Sequence, residues 1–520
     1  MYKIISSQYN NNGLYIFFSF LIFLLIISPL LIFKYPILID YPNHLASYFI
    51  QASIDNNPLL KENYSVEWHI KPYLIVEALG GMLARYLDIF VAGRVLVLLG
   101  IIFICLGAIL IRKFVNRRVD LWILTVFALL FNNILFWGLV NYFVSSGIAL
   151  IIMAAWIKFR NVAGLKNILF FSALSTFLFF SHLFALGVYG VFVISYEIGQ
   201  YIYSRDSYVA SDLAKAAAQF ILPAILFFGW YSGLPHYHVD EFFVYGSWVD
   251  KVLALISPIY FDYSDYTKYS VPVFFMFVSI TRIIFHCRIG FHDNMKLPLL
   301  VFLLMSIVTP VTFAGVYQVD IRLIFIFMLI FVSSVRFYED DKNTKNFRIC
   351  IILIAITMAC FKAYFISSTW NGINRQYQEF ENSLQYVRSG SKIITIQDEP
   401  KNIDNFDDHL YHHMSALSII KRSTFWPNLF TVNLTPIYPS ASTKKIDTPL
   451  SDQLNLSYLL NTQAKNGYVY SQSRVVYWAD WKKDFDYLIS IRFDNLSIIN
   501  IKELKLKVRG SFFDIYEIIH

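Results

Sequence analysis

Side chains that could carry chemistry stand directly after the first long apolar run of the sequence. The run at 14–33 is followed by Asp40-Tyr-Pro-Asn-His44, where Pro42 favours the first turn of a helix. That helix would place the Asp40 carboxylate and the His44 imidazole about one turn apart. Such a carboxylate can act as a general base on a hydroxyl or amine, or bind a divalent metal together with His44. Alternatively, Asp40 caps the helix and His44 is an interfacial polar residue.

Other histidines extend this set of candidates. His182 interrupts the apolar stretch FLFFSHLFALGVYG, and an ionisable residue at the end of a membrane span is a candidate for function by default. It could equally be a turn residue. A third group has the residue types of a metal site, although its spacing is not diagnostic. This group consists of His236, His238, Asp240 and Glu241.

The elements that hold these residues are set by an apolar composition. Hydrophobic residues make up 57% of the 520 residues and charged residues only 15%, against roughly 25% charged residues in soluble domains. A helix needs about 20 apolar residues to cross the hydrocarbon layer. The sequence predicts about eleven such spans. They lie near 14–33, 91–111, 119–138, 141–159, 166–181, 183–203, 213–232, 271–287, 297–315, 321–337 and 348–367.

Lysine and arginine residues set the predicted orientation. They concentrate in alternate connections between the spans, such as 112–118 and 336–348, which the positive-inside rule assigns to the cytoplasm. The same rule accounts for the net charge of +7, so no nucleic-acid partner is expected. The intervening connections, the loop 34–90 and the residues after the last span are then external.

The sequence predicts two parts outside the hydrocarbon layer in addition to the spans. The segment 72–88 is apolar but carries Glu77, Arg85 and Asp88, so we interpret 34–90 as one external loop with two helices along the membrane surface. From about 371 the sequence turns polar, with short β-branched runs such as 392–396. The fold class predicted is an all-α polytopic membrane domain at 1–370, followed by a small α/β extracytoplasmic domain at 371–520.

This arrangement resembles the GT-C superfamily of membrane glycosyltransferases, which includes protein O-mannosyltransferases and lipid A aminoarabinose transferases. Members carry an essential acidic residue just after the first span, and Asp40 matches it. Residues 72–88 followed by Val91-Ala-Gly-Arg94 resemble a second juxtamembrane helix that leads into an arginine-headed span. The resemblance covers most of 14–367 by architecture but only a few positions by motif.

The resemblance also implies roles for basic residues. Asp320-Ile-Arg322 places Arg322 where GT-C enzymes have a residue linked to the donor phosphate, which a guanidinium can hold by paired hydrogen bonds. The alternative is a snorkelling arginine paired with Asp320. Arg94 has the same two interpretations.

The second acidic residue of many relatives is unassigned here. Tyr41 follows Asp40, and the next external turn offers only Asn141. Several carboxylates could take the role, and Glu67 with His69 forms a plausible polar or metal-binding pair, although a solvated loop is the simpler interpretation. These carboxylates are Glu62, Glu67, Glu77, Asp240 and Glu241.

The function implied is an inverting glycosyltransferase in a bacterial cytoplasmic membrane. Its donor would be a polyprenyl-phosphate-linked sugar, and its acceptor an extracytoplasmic glycan, lipid or protein. A divalent metal is the one cofactor considered. The alternative is a non-catalytic transporter or assembly factor on the same scaffold.

Overall fold

The chain folds into a mainly helical body with a small sheet near its C-terminus. The computed structural model describes residues 2–162, 164–203, 210–233, 243–259, 288–313, 316–338, 341–397, 409–432, 434–448, 477–491 and 501–520, with single positions between 276 and 285 and between 454 and 459. The main helices are α1 (Tyr2–Ile32), α2 (Tyr41–Ser53), α3 (Pro58–Asn63), α4 (Leu74–Tyr86), α5 (Ile89–Asn116), α6 (Asn133–Phe136), α7 (Val140–Phe159), α8 (Leu165–Ser181), α9 (Leu183–Tyr203), α10 (Ala210–Ala218), α11 (Ile221–Ser232), α12 (Trp248–Ile256), α13 (Asp293–Val308), α14 (Val319–Ser334), α15 (Lys342–Ser383), α16 (Leu417–Arg422) and α17 (Trp481–Asp484).

Six stretches of the described chain are long and apolar enough to cross a membrane. They are Tyr15–Ile32, Ile89–Asn116, Val140–Phe159, Leu183–Tyr203, Asp212–Ser232 and Lys342–Tyr386. With the apolar composition, they make the chain an integral membrane protein. Helices α8, α13 and α14 coincide with predicted spans but are shorter, and the predicted span 271–287 lies almost wholly outside the described residues. The count of eleven spans stays a prediction.

Helices α5 and α7 pack closely because glycines line their contact. A Cβ atom on Gly107 would lie 2.5 Å from Cβ of Leu150, and one on Gly147 would lie 2.7 Å from the backbone nitrogen of Ile104. Small residues at such crossings let two helix backbones approach, which is the usual way in which membrane helices gain packing energy. Gly100 of α5 likewise lies against Phe143, next to Asn141 and Tyr142 at the start of α7.

The predicted α-helical span at 119–138 has a different backbone. Residues Leu121–Leu129 form a 3₁₀ helix, followed by the short α6. The buried Lys362 of α15 donates to the carbonyl oxygens of Ala128 at 3.1 Å and Phe131 at 2.9 Å. Irregular backbone at membrane depth is tolerated when protein groups satisfy it. Hydropathy predicted an α-helical span at 119–138, and the α-helical backbone of that prediction is wrong for Leu121–Leu129.

Both helices expected in the external loop are present. Helix α2 begins at Tyr41 with Pro42 in its first turn, and α4 occupies most of 72–88. Strand β1 (Tyr64–Val66) of the same loop pairs antiparallel with β7 (Ile437–Pro439). The buried Lys71 adds hydrogen bonds to the carbonyl oxygens of Val432 and Thr435. The loop 34–90 is therefore joined to residues 384–520, which we call the C-terminal region.

The C-terminal region is built on a four-stranded sheet in the order β6-β8-β10-β9. Strands β6 and β8 are parallel, and the other neighbours are antiparallel. The strands are β6 (Ile393–Gln397), β8 (Tyr487–Ile491), β9 (Leu504–Arg509) and β10 (Phe513–Ile518), and the two-residue strands elsewhere are β2 (Phe243–Val244), β3 (Ile289–Gly290), β4 (Thr312–Phe313) and β5 (Arg336–Phe337). Every residue of β6 and β8 is buried, as expected for strands covered on both faces.

Helix α15 connects the membrane body to this sheet without a break. Its 42 residues correspond to about 63 Å, roughly twice the thickness of the hydrocarbon layer. The domain boundary predicted at 370–371 lies inside this helix, so no linker marks it. The division into domains at that point stays a prediction.

Candidate functional site

Asp40 lies at the start of α2, between that helix and the segment before α7. Its backbone N–H donates to the carbonyl oxygen of Trp137 at 3.2 Å, and its side chain is 21% exposed. The Asp40 side chain makes no capping hydrogen bond to α2. The alternative in which Asp40 serves as the helix cap is therefore not observed, and the carboxylate is directed elsewhere.

Gly138 allows the backbone of Asp40 to lie close to the segment before α7. Its φ is +77°, and a Cβ atom there would lie 2.4 Å from the backbone nitrogen of Asp40. A real Cβ atom cannot approach so closely, so a larger residue must push the Asp40 backbone away. The short distance between Trp137 and Asp40 depends on this glycine.

We therefore expect Gly138→Ala to displace Asp40 and to lower the thermal unfolding midpoint. Gly164→Ala is the matched control, because Gly164 also has a positive φ of +110° but no neighbouring atom within 4 Å of the place that a methyl group would take. Both variants carry backbone strain of about 1–3 kcal/mol, and only Gly138→Ala adds the clash. Thermal unfolding in lipid nanodiscs measures the difference, and equal midpoints for the two variants would contradict the close approach.

The carboxylate of Asp40 has a partner from the C-terminal region. Nε2 of His413 lies 3.2 Å from Oδ1 of Asp40, and Nδ1 of His413 lies 3.1 Å from the side-chain nitrogen of Asn43. The ring of His413 also contacts the ring of Phe430. Asp40 therefore sits at a junction between α2 and a segment far along the chain.

A second carboxylate, Glu77 of α4, is completely buried beneath α2. Its Oε1 accepts hydrogen bonds from Nδ1 of His44 and from the side chain of Asn141, each at 3.0 Å. Its Oε2 accepts from Ser47 at 2.8 Å and from Gln51 at 3.4 Å. Both oxygens are thus occupied, and the carboxylate holds the His44 ring in one orientation.

Arg322 lies in the first turns of α14 and is buried. Its Nη2 donates to the carbonyl oxygen of Tyr317 at 3.2 Å, and its guanidinium faces the rings of Tyr142 and Phe184 at 5.4 and 5.6 Å. Its Nε has no hydrogen-bond partner in the part of the chain that the structure describes. A buried guanidinium with an unused donor can bind an anion.

Asp320 does not neutralise this arginine. Its Oδ2 lies 2.7 Å from Nζ of Lys251 on α12, and its Oδ1 accepts the backbone N–H of Ile321 at 2.9 Å. The alternative in which Arg322 serves only to pair with Asp320 is therefore not observed. Lys251 takes that role, and Arg322 keeps its charge available.

Asp40 and Arg322 are connected through Trp137 and Tyr317. The backbone carbonyl oxygen of Trp137 accepts the Asp40 N–H, and that of Tyr317 accepts from Arg322. The rings of Trp137 and Tyr317 pack on each other at 6.0 Å. The Asp40 backbone and the Arg322 guanidinium therefore contact two residues whose rings pack on each other.

His182 lies in the turn between α8 and α9 and borders the same region. Its ring packs edge-on against Tyr73 at 4.7 Å and Tyr142 at 5.3 Å, and its Nδ1 accepts the backbone N–H of Phe184 at 3.1 Å. Burial, with Arg322 nearby, holds the pKa of His182 well below its usual range. His182 is therefore a neutral ring beside the arginine.

The remaining predicted residues lie apart from this group. Arg94 donates to the carbonyl oxygens of Phe90, Leu31 and Phe33 and so binds the C-terminal end of α1. Glu67 and His69 form an exposed pair at 3.1 Å, where hydrogen bonds from Ser65 and His69 lower the pKa of Glu67.

The metal candidates gain no support from the described residues. His236, His238, Asp240 and Glu241 lie outside the described residues. Within the described ranges, no group of three or more histidine, cysteine, aspartate or glutamate residues has a metal-binding arrangement.

Sequence reasoning missed the residues that come from distant parts of the chain. His413 and Trp137 are the partners of Asp40, and Lys251 is the partner of Asp320. The only feature of the sequence that pointed to His413 as a site residue was its place beside a second histidine, His412. Nothing in the sequence singled out Lys251.

Comparison with known proteins gives one informative result. No model of a known protein family matches the sequence, and neither does any curated protein. Among solved structures, ArnT from Cupriavidus metallidurans bound to undecaprenyl phosphate is similar, with a TM-score of 0.55 and 9% sequence identity. The match covers 97% of this chain and 98% of that chain. At the level of the fold, this chain is therefore similar to ArnT.

Proposed function

We propose that this protein is an inverting glycosyltransferase that moves a sugar from a polyprenyl-phosphate donor to an extracytoplasmic acceptor. The observation that carries the proposal is a partly exposed carboxylate, Asp40, and a buried guanidinium with an unused donor, Arg322, connected through the packed residues Trp137 and Tyr317. The ArnT-like fold supports the proposal, because that solved chain has undecaprenyl phosphate bound.

The donor phosphate meets Arg322 in this proposal. Phosphate is the leaving group, and a fixed cation beside it stabilises the charge that develops as the glycosidic bond breaks. The rings of Tyr142 and Phe184 hold the guanidinium in place, so it need not reorganise during the reaction. The polyprenyl chain lies among the apolar helices.

Asp40 acts on the acceptor in this proposal. Its carboxylate takes the proton from the acceptor hydroxyl or amine as that group attacks the anomeric carbon opposite the departing phosphate. One displacement inverts the configuration. Glu77 does not compete for this role, because its two oxygens are occupied by four donors. His44, held by Glu77 one turn from Asp40, hydrogen-bonds the bound sugar or acceptor.

The direct test is an assay of the purified protein in lipid nanodiscs with a panel of radiolabelled polyprenyl-phosphate sugars. Cell-envelope glycans, lipids and proteins serve as acceptors. We expect the labelled sugar of one donor to appear on an acceptor, with polyprenyl phosphate as the second product. Transport of an intact donor or solute without cleavage of the glycosidic bond would favour the non-catalytic alternative.

The proposal also requires the site to face away from the cytoplasm. We expect reporter fusions after Trp370 and within 34–90 to report an external location, and a fusion in the basic connection 112–118 to report a cytoplasmic one. Paired alkaline phosphatase and fluorescent protein fusions at each position measure this. A cytoplasmic result after Trp370 would remove the extracytoplasmic acceptor from the proposal.

A further inference from the structure

His413 reaches Asp40 from the C-terminal region and is almost fully buried there. Its side chain is 4% exposed, against 21% for Asp40. Its ring is packed by Phe430 at 5.2 Å and by Trp426 at 6.1 Å. The imidazole therefore has little freedom to turn away from the carboxylate.

Asn43 settles which nitrogen of this ring carries the proton. Its side-chain oxygen accepts the backbone N–H of Phe430 at 2.8 Å, and its nitrogen donates to the carbonyl oxygen of Asn428 at 2.9 Å. The amide orientation is thus fixed, so the same nitrogen must donate to Nδ1 of His413 at 3.1 Å. The ring proton is then on Nε2, and it points at Oδ1 of Asp40.

We propose that His413 is a positioning residue for Asp40, through which the C-terminal region completes the active site. Its Nε2–H holds Oδ1 of the carboxylate. The other oxygen, Oδ2, has no hydrogen bond from any described residue and is left to receive the proton of the acceptor. The inference rests on the proposed function, because it assigns Asp40 the work of the base.

Further contacts around His413 support a positioning role. Asn43 and Asp40 both belong to the start of α2, so His413 binds one helix turn at two points. Phe430, whose N–H fixes Asn43, also packs on the ring of His44 at 5.6 Å. The segment 426–430 therefore sets the geometry of the carboxylate and of the neighbouring imidazole together.

Two substitutions of His413 test its hydrogen bond to Asp40 separately from its contact with Asn43. The side-chain nitrogen of glutamine stands as many bonds from Cβ as Nε2 of histidine, and the side-chain oxygen of asparagine stands as many as Nδ1, which accepts from Asn43. His413→Gln can therefore keep the hydrogen bond to Asp40. His413→Asn can keep the contact with Asn43 but cannot reach the carboxylate.

The experiment measures transfer from the radiolabelled polyprenyl-phosphate sugar in nanodiscs for the parent, both His413 variants and Asp40→Asn. We expect His413→Asn to lower kcat about 10- to 100-fold, the loss expected for one hydrogen bond to a charged group, with the KM for the donor little changed. His413→Gln should keep most of the parent's kcat. Equal kcat values for the two His413 variants, with Asp40→Asn inactive, would overturn the inference alone.

A second measurement does not depend on catalysis. Thermal unfolding midpoints of the parent, His413→Asn, Asp40→Ala and the double variant form a double-mutant cycle. We expect His413→Asn to lower the midpoint in the parent background and to have much less effect beside Asp40→Ala. Equal effects in both backgrounds would overturn the contact even if no sugar in the panel reacts, whereas full activity of Asp40→Asn would overturn the proposed function.

Discussion

Asp40→Asn is expected to abolish sugar transfer while the protein remains folded in the membrane. The substitution keeps the size of the side chain and an oxygen that can accept from Nε2 of His413, but it removes the charge that takes the proton. Loss of a general base typically lowers the rate by about 10²–10⁴. Initial rates of transfer at saturating donor measure the effect.

Asp55→Asn is the matched control for this variant. Asp55 is an exposed carboxylate in the same loop, 34–90, and the same change there should leave transfer at the parent's rate. An Asp40→Asn variant as active as the parent would eliminate Asp40 as the base. An inactive Asp40→Asn variant that has also lost its fold would instead assign Asp40 a structural role.

Arg322→Ala is expected to cause the second large loss, through the donor phosphate. Removing a bidentate or charge-assisted hydrogen bond costs about 1.5–3 kcal/mol, so donor affinity should fall about 10- to 100-fold. Turnover should fall as well, because the leaving phosphate loses its counter-charge. Arg322→Lys should retain part of both, since lysine keeps the charge but lacks the planar fork.

Asp320→Asn separates the phosphate role from local structure. This change breaks the 2.7 Å pair between Asp320 and Lys251 without touching the guanidinium, so it should lower thermal stability and leave donor affinity near that of the parent. Equilibrium binding of polyprenyl phosphate and initial rates for the three variants are measured in one lipid composition. Parent-like binding and turnover in Arg322→Ala would remove this residue from the donor site.

Local features of the site could be predicted from the sequence. Pro42 marked the beginning of α2 within one residue, and this placed Asp40 and His44 one turn apart. The position of Asp320 and Arg322 before an apolar run placed Arg322 at the end of a helix. These inferences succeeded because they depend on residues that are close together in the chain.

Partners from distant segments could not be predicted in this way. The contact between Asn43 and His413 joins residues 370 positions apart, and Lys362 satisfies carbonyl groups more than 230 positions before it. Hydropathy reports which segments leave water, but it does not report which groups accept their backbone hydrogen bonds. For the same reason, one alternative drawn from the sequence paired Arg322 with its neighbour Asp320. In the folded chain, Asp320 pairs with Lys251 instead.

Because α15 is one unbroken helix, its length determines how the C-terminal region is oriented relative to the membrane body. Each residue added to a helix turns everything beyond it by about 100° and advances it by about 1.5 Å. One extra residue between the membrane body and the sheet would therefore swing the C-terminal region around the helix axis, away from the external loop that pairs with it at β1 and β7. Changes of about seven or eleven residues nearly restore the angular phase, to within about 20°. Homologous chains that conserve this docking should therefore differ in the length of this helix by such steps, accompanied by a compensating shift along the axis.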